Sequence, residues 1–238
     1  MSYLVFRLRG LMASWGEVAV GEHRGSDGIP TTSALAGLLC AALGLRREQE
    51  SALQAVHSSY LFAVGVCSEG VLLRDYHTAQ VPSRSLLKGS KHVTRKDEIA
   101  FPRHELNTML SMRDHRQEVD HLVAVQAQPG SPYTLEELRH ALLQPVFVLY
   151  LGRKSCPPCA PLHPLVVDGQ HVLAAFSGYA TKQGTSSSFV AKLAWPEGMN
   201  AGVPADLSQR RQDRLTHRGA WQYGDRVEHV AMLRQEGA

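Results

Sequence analysis

The sequence predicts an α+β chain, and three observations carry that expectation. Apolar and polar residues alternate with period two in several separate segments. Two stretches between them carry apolar residues at helical spacing instead. A long polar and basic stretch with neither period interrupts the series.

The first element runs from Ser2 to Arg9. Leu4, Phe6 and Leu8 fall on one face, and Tyr3, Val5, Arg7 and Arg9 on the other, as expected of a half-buried strand with two cations on its open side. Residues Gly16 to Gly28 hold too many turn formers for a regular element. Pro30-Thr31-Thr32-Ser33 then leads into a helix. Ser33 is the expected cap, Leu35, Leu38, Leu39 and Leu43 form its apolar stripe, and Gly44 suits a left-handed stop. Its other side is small (Ala36, Gly37, Cys40, Ala41), which permits close approach.

Tyr60–Cys67 and Val71–Thr78 read as strands joined through Ser68-Glu69-Gly70 as a hairpin. The polar and basic excursion lasts to about Asp120, and His121–Gln128 is again strand-like. Thr134 and Glu137 stand at capping-box spacing at the head of a second helix, which ends before Pro145. Val146–Leu151 is a β-run. Without the excursion this order approximates βαββαβ, the ferredoxin-like (RRM-like) arrangement of many RNA-recognition domains. Val71–Thr78 and His121–Gln128 compete for its third strand; one belongs in the sheet and the other at the base of the insertion. The expected division is a domain over residues 1–155, with the insertion at about 81–116, and a smaller, irregular, β-rich region over 156–238. In that region only short strands near Val166, Phe189 and Val227 are suggested.

Composition narrows the function classes. The longest apolar stretches, such as Ala34–Leu45, are about a dozen residues, short of the roughly 20 that span a bilayer. The alternating N-terminus does not resemble a secretion signal, and four cysteines without one fit a reducing cytoplasm. The formal charge is only +3, but its distribution is uneven. Pro82 to Lys96 holds Arg84, Lys88, Lys91, Arg95 and Lys96 and no acid, and Arg210, Arg211, Arg214 and Arg218 cluster around a lone Asp213. Such runs suit a polyanion, because each neutralised phosphate releases condensed counterions; they also suit a solvated surface.

Several groupings have chemistry in view. Cys156-Pro157-Pro158-Cys159 with His163 supplies three zinc-type ligands, but no fourth partner or second CxxC follows. The prolines also bar the helix start that a redox CxxC needs. Structural cysteines are the plainer reading. Tyr76, His77 and Lys88 are the residue types of a metal-independent ribonuclease: a base for the 2′-hydroxyl, an acid for the leaving oxygen, a cation for the phosphorane. A passive phosphate-binding surface contains the same types. Trp15 is either a base-stacking platform or a buried anchor. No phosphate-binding Gly-rich loop, dinucleotide fingerprint, HExxH helix or GxSxG elbow occurs, and no cofactor is expected.

Four stretches in register resemble one family: Met12-Ala13-Ser14-Trp15-Gly16, Pro30-Thr31-Thr32-Ser33-Ala34-Leu35-Ala36-Gly37-Leu38-Leu39, Leu73-Arg74-Asp75-Tyr76-His77-Thr78, and Tyr150-Leu151-Gly152-Arg153-Lys154-Ser155-Cys156-Pro157, with His163-Pro164-Leu165 just beyond. They are similar to the CasD subunits of type I-E CRISPR Cascade complexes, members of the RAMP superfamily of antiviral defence. The resemblance covers roughly residues 2–165. It implies a non-catalytic, cytoplasmic subunit that caps the 5′ handle of the CRISPR RNA. A β-hairpin thumb would cross the handle–spacer junction against the backbone subunit CasC. The large subunit CasA is a further implied partner, and target DNA is reached only through the assembled complex.

On this chain the resemblance implies a grip by Thr32, Ser33, Arg74, Tyr76, His77, Arg153 and Lys154. To these the sequence pattern adds Arg7 and Arg9 of the first strand and Trp15 as RNA-binding candidates. Arg84, Lys88, Lys91, Arg95 and Lys96 would track RNA from the thumb. A related branch in type I-C systems processes RNA itself, but the LRDYHT and YLGRKS stretches are of the type I-E kind. This chain also departs from the family by inserting Pro158-Cys159-Ala160-Pro161 before His163, which weakens a zinc role for Cys156, Cys159 and His163.

Overall fold

The structure is a computed structural model that describes residues 1–234 except 18, 20, 90–92, 185–189, 218 and 221. The expected cation Lys91 and the strand expected near Phe189 lie outside the described residues, as does Arg218.

The first strand, β1 (Ser2–Ala13), runs longer than its pattern suggests. Two-residue bridges follow: β2 (Trp15–Gly16) pairs with β4 (Ser26–Asp27), and β3 (His23–Arg24) lies between them in sequence. Next come α1 (Thr32–Ala42), α2 (Glu50–Ser59), β5 (Tyr60–Ser68) and β6 (Val71–Pro82). A four-residue helix, α3 (Arg95–Glu98), precedes the 22-residue β7 (Leu106–Ala127). The chain continues with α4 (Leu135–Leu143), β8 (Leu165–Asp168), α5 (Val172–Gln183), β9 (Lys192–Pro196), β10 (Leu207–His217) and β11 (Gln222–Met232).

Strands β8, β1, β7 and β5 lie side by side in that order, every neighbour antiparallel. In ferredoxin-like terms this is 4-1-3-2. Helices α1 and α2 make the first crossover and α4 the second. Leu4, Phe6 and Leu8 are wholly buried in one cluster with Leu35 and Leu39 of α1, Val56 of α2 and Leu138 of α4. Each such side chain contributes roughly 1.5–3 kcal/mol by leaving water.

The opposite face is not open, contrary to expectation. Tyr3 and Val5 are fully buried beneath Phe176 and Tyr179 of α5. The C-terminal strands extend the same sheet, with β9 on β5, β11 on β9 and β10 at the edge. The strands expected near Val166 and Val227 are β8 and β11.

Three further expectations are corrected. Val146–Leu151 is not a strand. Its amides turn back to the end of α1, Val146 N–H donating to Ala42 O (3.0 Å) and Phe147 N–H to Ala41 O (3.2 Å), so β8 takes the fourth place. The β5–β6 hairpin does not form either: β5 pairs with the second half of β7, and β6 with its first half, from Val71↔Gln117 to Pro82↔Leu106. Gly70, at φ +71°, makes the crossing, where a Cβ would collide with the Gln117 carbonyl. Val71–Thr78 is therefore the base of the insertion and His121–Gln128 belongs to the sheet. Glu118 sits at the junction with φ +59°, where the β6–β7 ribbon leaves the sheet. Finally, Thr31 rather than Ser33 caps α1: its backbone is already extended and its hydroxyl accepts from Ala34 N–H at 3.2 Å. The Thr134–Glu137 capping box of α4 forms as expected.

The start of α1 is bound to the last two strands by an ion cluster. Thr32 N–H donates to the Asp213 carboxylate (2.9 Å), which also receives both arms of Arg226 (2.6 and 2.9 Å). Arg226 reaches on to Glu228 (2.6 Å), and Arg211 joins Glu228 to Asp27 (3.1 Å each). All but Asp27 are nearly closed to solvent.

Asp213→Ala, which leaves Arg226 and the helix start without their partner, should lower unfolding free energy by about 3 kcal/mol in a denaturant titration, with Asp213→Asn intermediate. A second expectation concerns His121, wholly buried beside Trp15, whose pKa burial pushes down to about 4. The unfolded chain takes up this proton near the ordinary value and the folded chain does not, so stability should fall as pH drops from about 6.5 towards 4. His121→Leu should flatten that limb in urea titrations run across the range.

Candidate nucleic-acid interface

The YLGRKS stretch forms a tight loop at the end of β1. Ser14 N–H donates to Leu151 O (3.0 Å), Leu151 N–H to Cys156 O (2.7 Å), and Cys156 N–H to Arg153 O (2.9 Å). Gly152, at φ +85°, packs so closely that a Cβ would run into the Ser14 carbonyl. The loop thus holds Arg153 and Lys154 in fixed relation to the core.

These two cations border an open groove of about 1720 Å³. Its other walls are the first turns and small-residue side of α1 (Ser33, Gly37, Ala41), the loop after it with Arg46 and Arg47, and Asp213 of β10. Phe147, Val148, Tyr150 and Tyr223 add apolar surface, while Glu17 and Glu48 are acids on the same lining. Cations beside exposed aromatic and apolar side chains are what a single-stranded nucleic acid uses, the backbone on the charges and the bases on the flat surfaces. Arg46 and Arg47 were not singled out from the sequence; an adjacent arginine pair just after a helix stop was the available signal.

Around the ribbon root, other charges are already satisfied. Asp114 of β7 is buried and accepts Arg74 Nε (2.8 Å) and Nη2 (3.1 Å), with His23 Nε2 at 2.9 Å. The Arg74 hydrogen bonds, helped by His23 and opposed by burial, hold its carboxyl at about 2. Arg74 remains half-exposed.

The remaining expected residues are scattered. Arg7 and Arg9 lie on the α5 side of the sheet and share Asp120, Arg7 through two bonds of 2.7 and 2.6 Å and Arg9 through one of 3.2 Å. That pairing raises the Arg7 pKa against the effect of burial. Trp15 is 1% exposed, so it is the buried anchor and not a stacking platform. The backbone N–H of Thr32 is taken by Asp213, while Ser33 borders the groove. Tyr76 is well exposed on β6, and neighbouring His77 stands 3.3 Å from Asp75. Arg84, Lys88 and Lys96 are exposed in the distal part of the insertion. Arg95 there is engaged by Glu98 (2.5 Å) and the Gln80 carbonyl.

Cys156 is buried and Cys159 faces solvent. Among the described residues no three His, Cys, Asp or Glu side chains gather as a metal site, so Cys156, Cys159 and His163 do not converge.

A ferredoxin-like core thus carries an exposed ribbon and a groove bordered by Arg46, Arg47, Arg153 and Lys154. The chain belongs to the family described as CRISPR-associated protein (Cas_Cas5), whose pattern matches residues 3–227. It is 36% identical over 170 residues to the CRISPR system Cascade subunit CasD of Escherichia coli K12, covering 68% of this chain and 69% of that one. Its fold is shared with a chain of a CRISPR RNA-guided surveillance complex (TM-score 0.63, 22% identity, 97% of this chain and 89% of that one). A Cas protein crystal structure is similar as well, at TM-score 0.58 and 22% identity over 98% of this chain and 96% of that one.

Arg74→Ala should let the Asp114 carboxyl rise from about 2 towards the ordinary carboxylate range, as followed by carboxyl-carbon NMR titration.

Proposed function

We propose that this chain is a non-catalytic Cascade subunit that seats the 5′ handle of the CRISPR RNA in the groove beside the YLGRKS loop. The observation that carries this reading is the convergence of Arg153, Lys154, Arg46 and Arg47 with exposed aromatic side chains on one groove. Its likeness to the CasD relative supports the choice of complex. In this reading the β6–β7 ribbon is the thumb, and Arg84, Lys88, Lys91, Arg95 and Lys96 are the cations that follow the RNA towards the spacer. CasC is the neighbour expected along the ribbon, CasA a second partner, and target DNA a ligand only of the assembled particle. The cytoplasm is the proposed compartment. No described helix is long and apolar enough to cross a membrane.

Cleavage by Tyr76, His77 and Lys88 finds little support in the geometry. Adjacent strand residues point to opposite faces, so Tyr76 and His77 cannot flank one phosphate. Lys88 lies in the distal turns beyond the end of β6.

The test is binding of a labelled repeat RNA in EDTA, with and without CasC, each sample then run on a denaturing gel. Handle-dependent binding of intact RNA is expected. Lys154→Ala and Arg46→Ala should each weaken it and lower the salt slope by about one unit. RNA shortened by the wild type and spared by His77→Ala would overturn the reading in favour of a nuclease.

A further inference from the structure

His115, on β7, belongs to none of the sequence motifs, yet it stands between Arg153 of the YLGRKS loop and Cys156 just after it. It is buried, with Nε2 3.2 Å from Arg153 Nη1 and Nδ1 3.6 Å from Cys156 Sγ. Guanidinium N–H groups only donate, so Nε2 must be the bare nitrogen, and the ring proton sits on Nδ1, pointing at the sulfur. The tautomer follows from the partners alone. A second arm of Arg153 donates to Arg24 O at 3.4 Å.

We propose that His115 is a positioning residue that aims the Arg153 guanidinium into the groove, so that an RNA phosphate meets it already oriented. This inference rests on the RNA-holding role proposed above for the groove. A free arginine at a loop tip samples many rotamers; one tied at Nη1 and Nη2 loses that freedom before ligand arrives, and its remaining donors stay available. Cys156, itself fully buried, completes the device by fixing the imidazole from the other side.

The surrounding charges fit the same role. Arg113 and Arg24 crowd Arg153, and burial together with these cations lowers its pKa, an imbalance that a polyanion would relieve. Arg153, Asp75, Arg113 and Asp114 are the charged groups felt by His115, and its pKa is lowered first by burial and then by Arg153. The ring therefore stays neutral and able to accept at ordinary pH.

The experiment is a double-mutant cycle on handle-RNA binding by the full-length chain in EDTA at fixed salt, using Arg153→Ala, His115→Ala and the pair. Losing one charge-assisted bond should weaken binding about tenfold in Arg153→Ala, and several-fold in His115→Ala. The pair should bind no worse than Arg153→Ala alone. His115→Gln, whose carbonyl can still accept from Arg153, should stay within about twofold of wild type. Losses that add, or an unaffected His115→Ala beside a weakened Arg153→Ala, would sink the positioning role alone. An unaffected Arg153→Ala would remove Arg153 from the RNA site and the inference with it, leaving Lys154 and Arg46 to report on the groove independently.

Should His115→Ala fail to fold, the pH profile decides. Wild type should lose affinity as the medium becomes acid enough to protonate Nε2, which happens below the ordinary imidazole range because burial and Arg153 lower its pKa, whereas His115→Gln should not. Parallel profiles would overturn the proposal.

Discussion

Three carboxylates and two guanidinium groups meet where the first helix begins, and the arrangement of the site depends on that meeting. Asp27, Asp213 and Glu228 outnumber Arg211 and Arg226, but Asp213 also faces the amide end of α1, where the helix carries partial positive charge. The helix end thus supplies the missing counter-charge. Buried charge of this kind adds little net stability compared with apolar packing, yet it is demanding in geometry. It holds the start of α1 to β10 and β11, and so sets the width of the groove between helix, loop and C-terminal strands.

The second organising element is β7. A single strand serves as partner to β6 in the ribbon and to β1 and β5 in the sheet. Asp114, His115, Asp120 and His121 follow one another along it, and their fates differ only by the face each takes and by what covers that face. Asp114 is ionised against Arg74, while His121 stays neutral in the helix-side core. Asp120 emerges on the other side, under the reach of Arg7 and Arg9.

Much of the core was legible in the sequence because local pattern and tertiary role agree there: the stripe of α1, the capping box of α4, and the apolar face of Leu4, Phe6 and Leu8. The misreadings arose where a long-range partner decided the outcome. Alternation made the Arg7 side of β1 look open, and only the burial of Tyr3 and Val5 under α5, some 170 residues later in the chain, closes it. Val146–Leu151 has β-type residues but spends its amides on α1 carbonyls. Helix α2 carries Leu53, Val56 and His57 at helical spacing and could have been read, whereas nothing local marks His115. Of the candidate groove, Arg153, Lys154 and Ser33 stood out by motif, and their convergence with Arg46 and Arg47 did not, since it comes from the packing of three separate segments.

The left-handed Glu118 marks the point where one strand passes from sheet to ribbon without a break in the chain. Twelve paired positions beyond it make an arm roughly 40 Å long, at about 3.4 Å per residue. An arm of that length is a lever: a rotation of roughly 5° at its root moves the tip by about 3.5 Å, more than a hydrogen-bond length. Because its inner end is a central strand bonded on both sides, displacement at the tip is delivered as shear along β7 to the segment that holds Asp114 and His115. Whatever grips the far end of the ribbon therefore pulls on the strand whose His115 meets Arg153 at the groove's border.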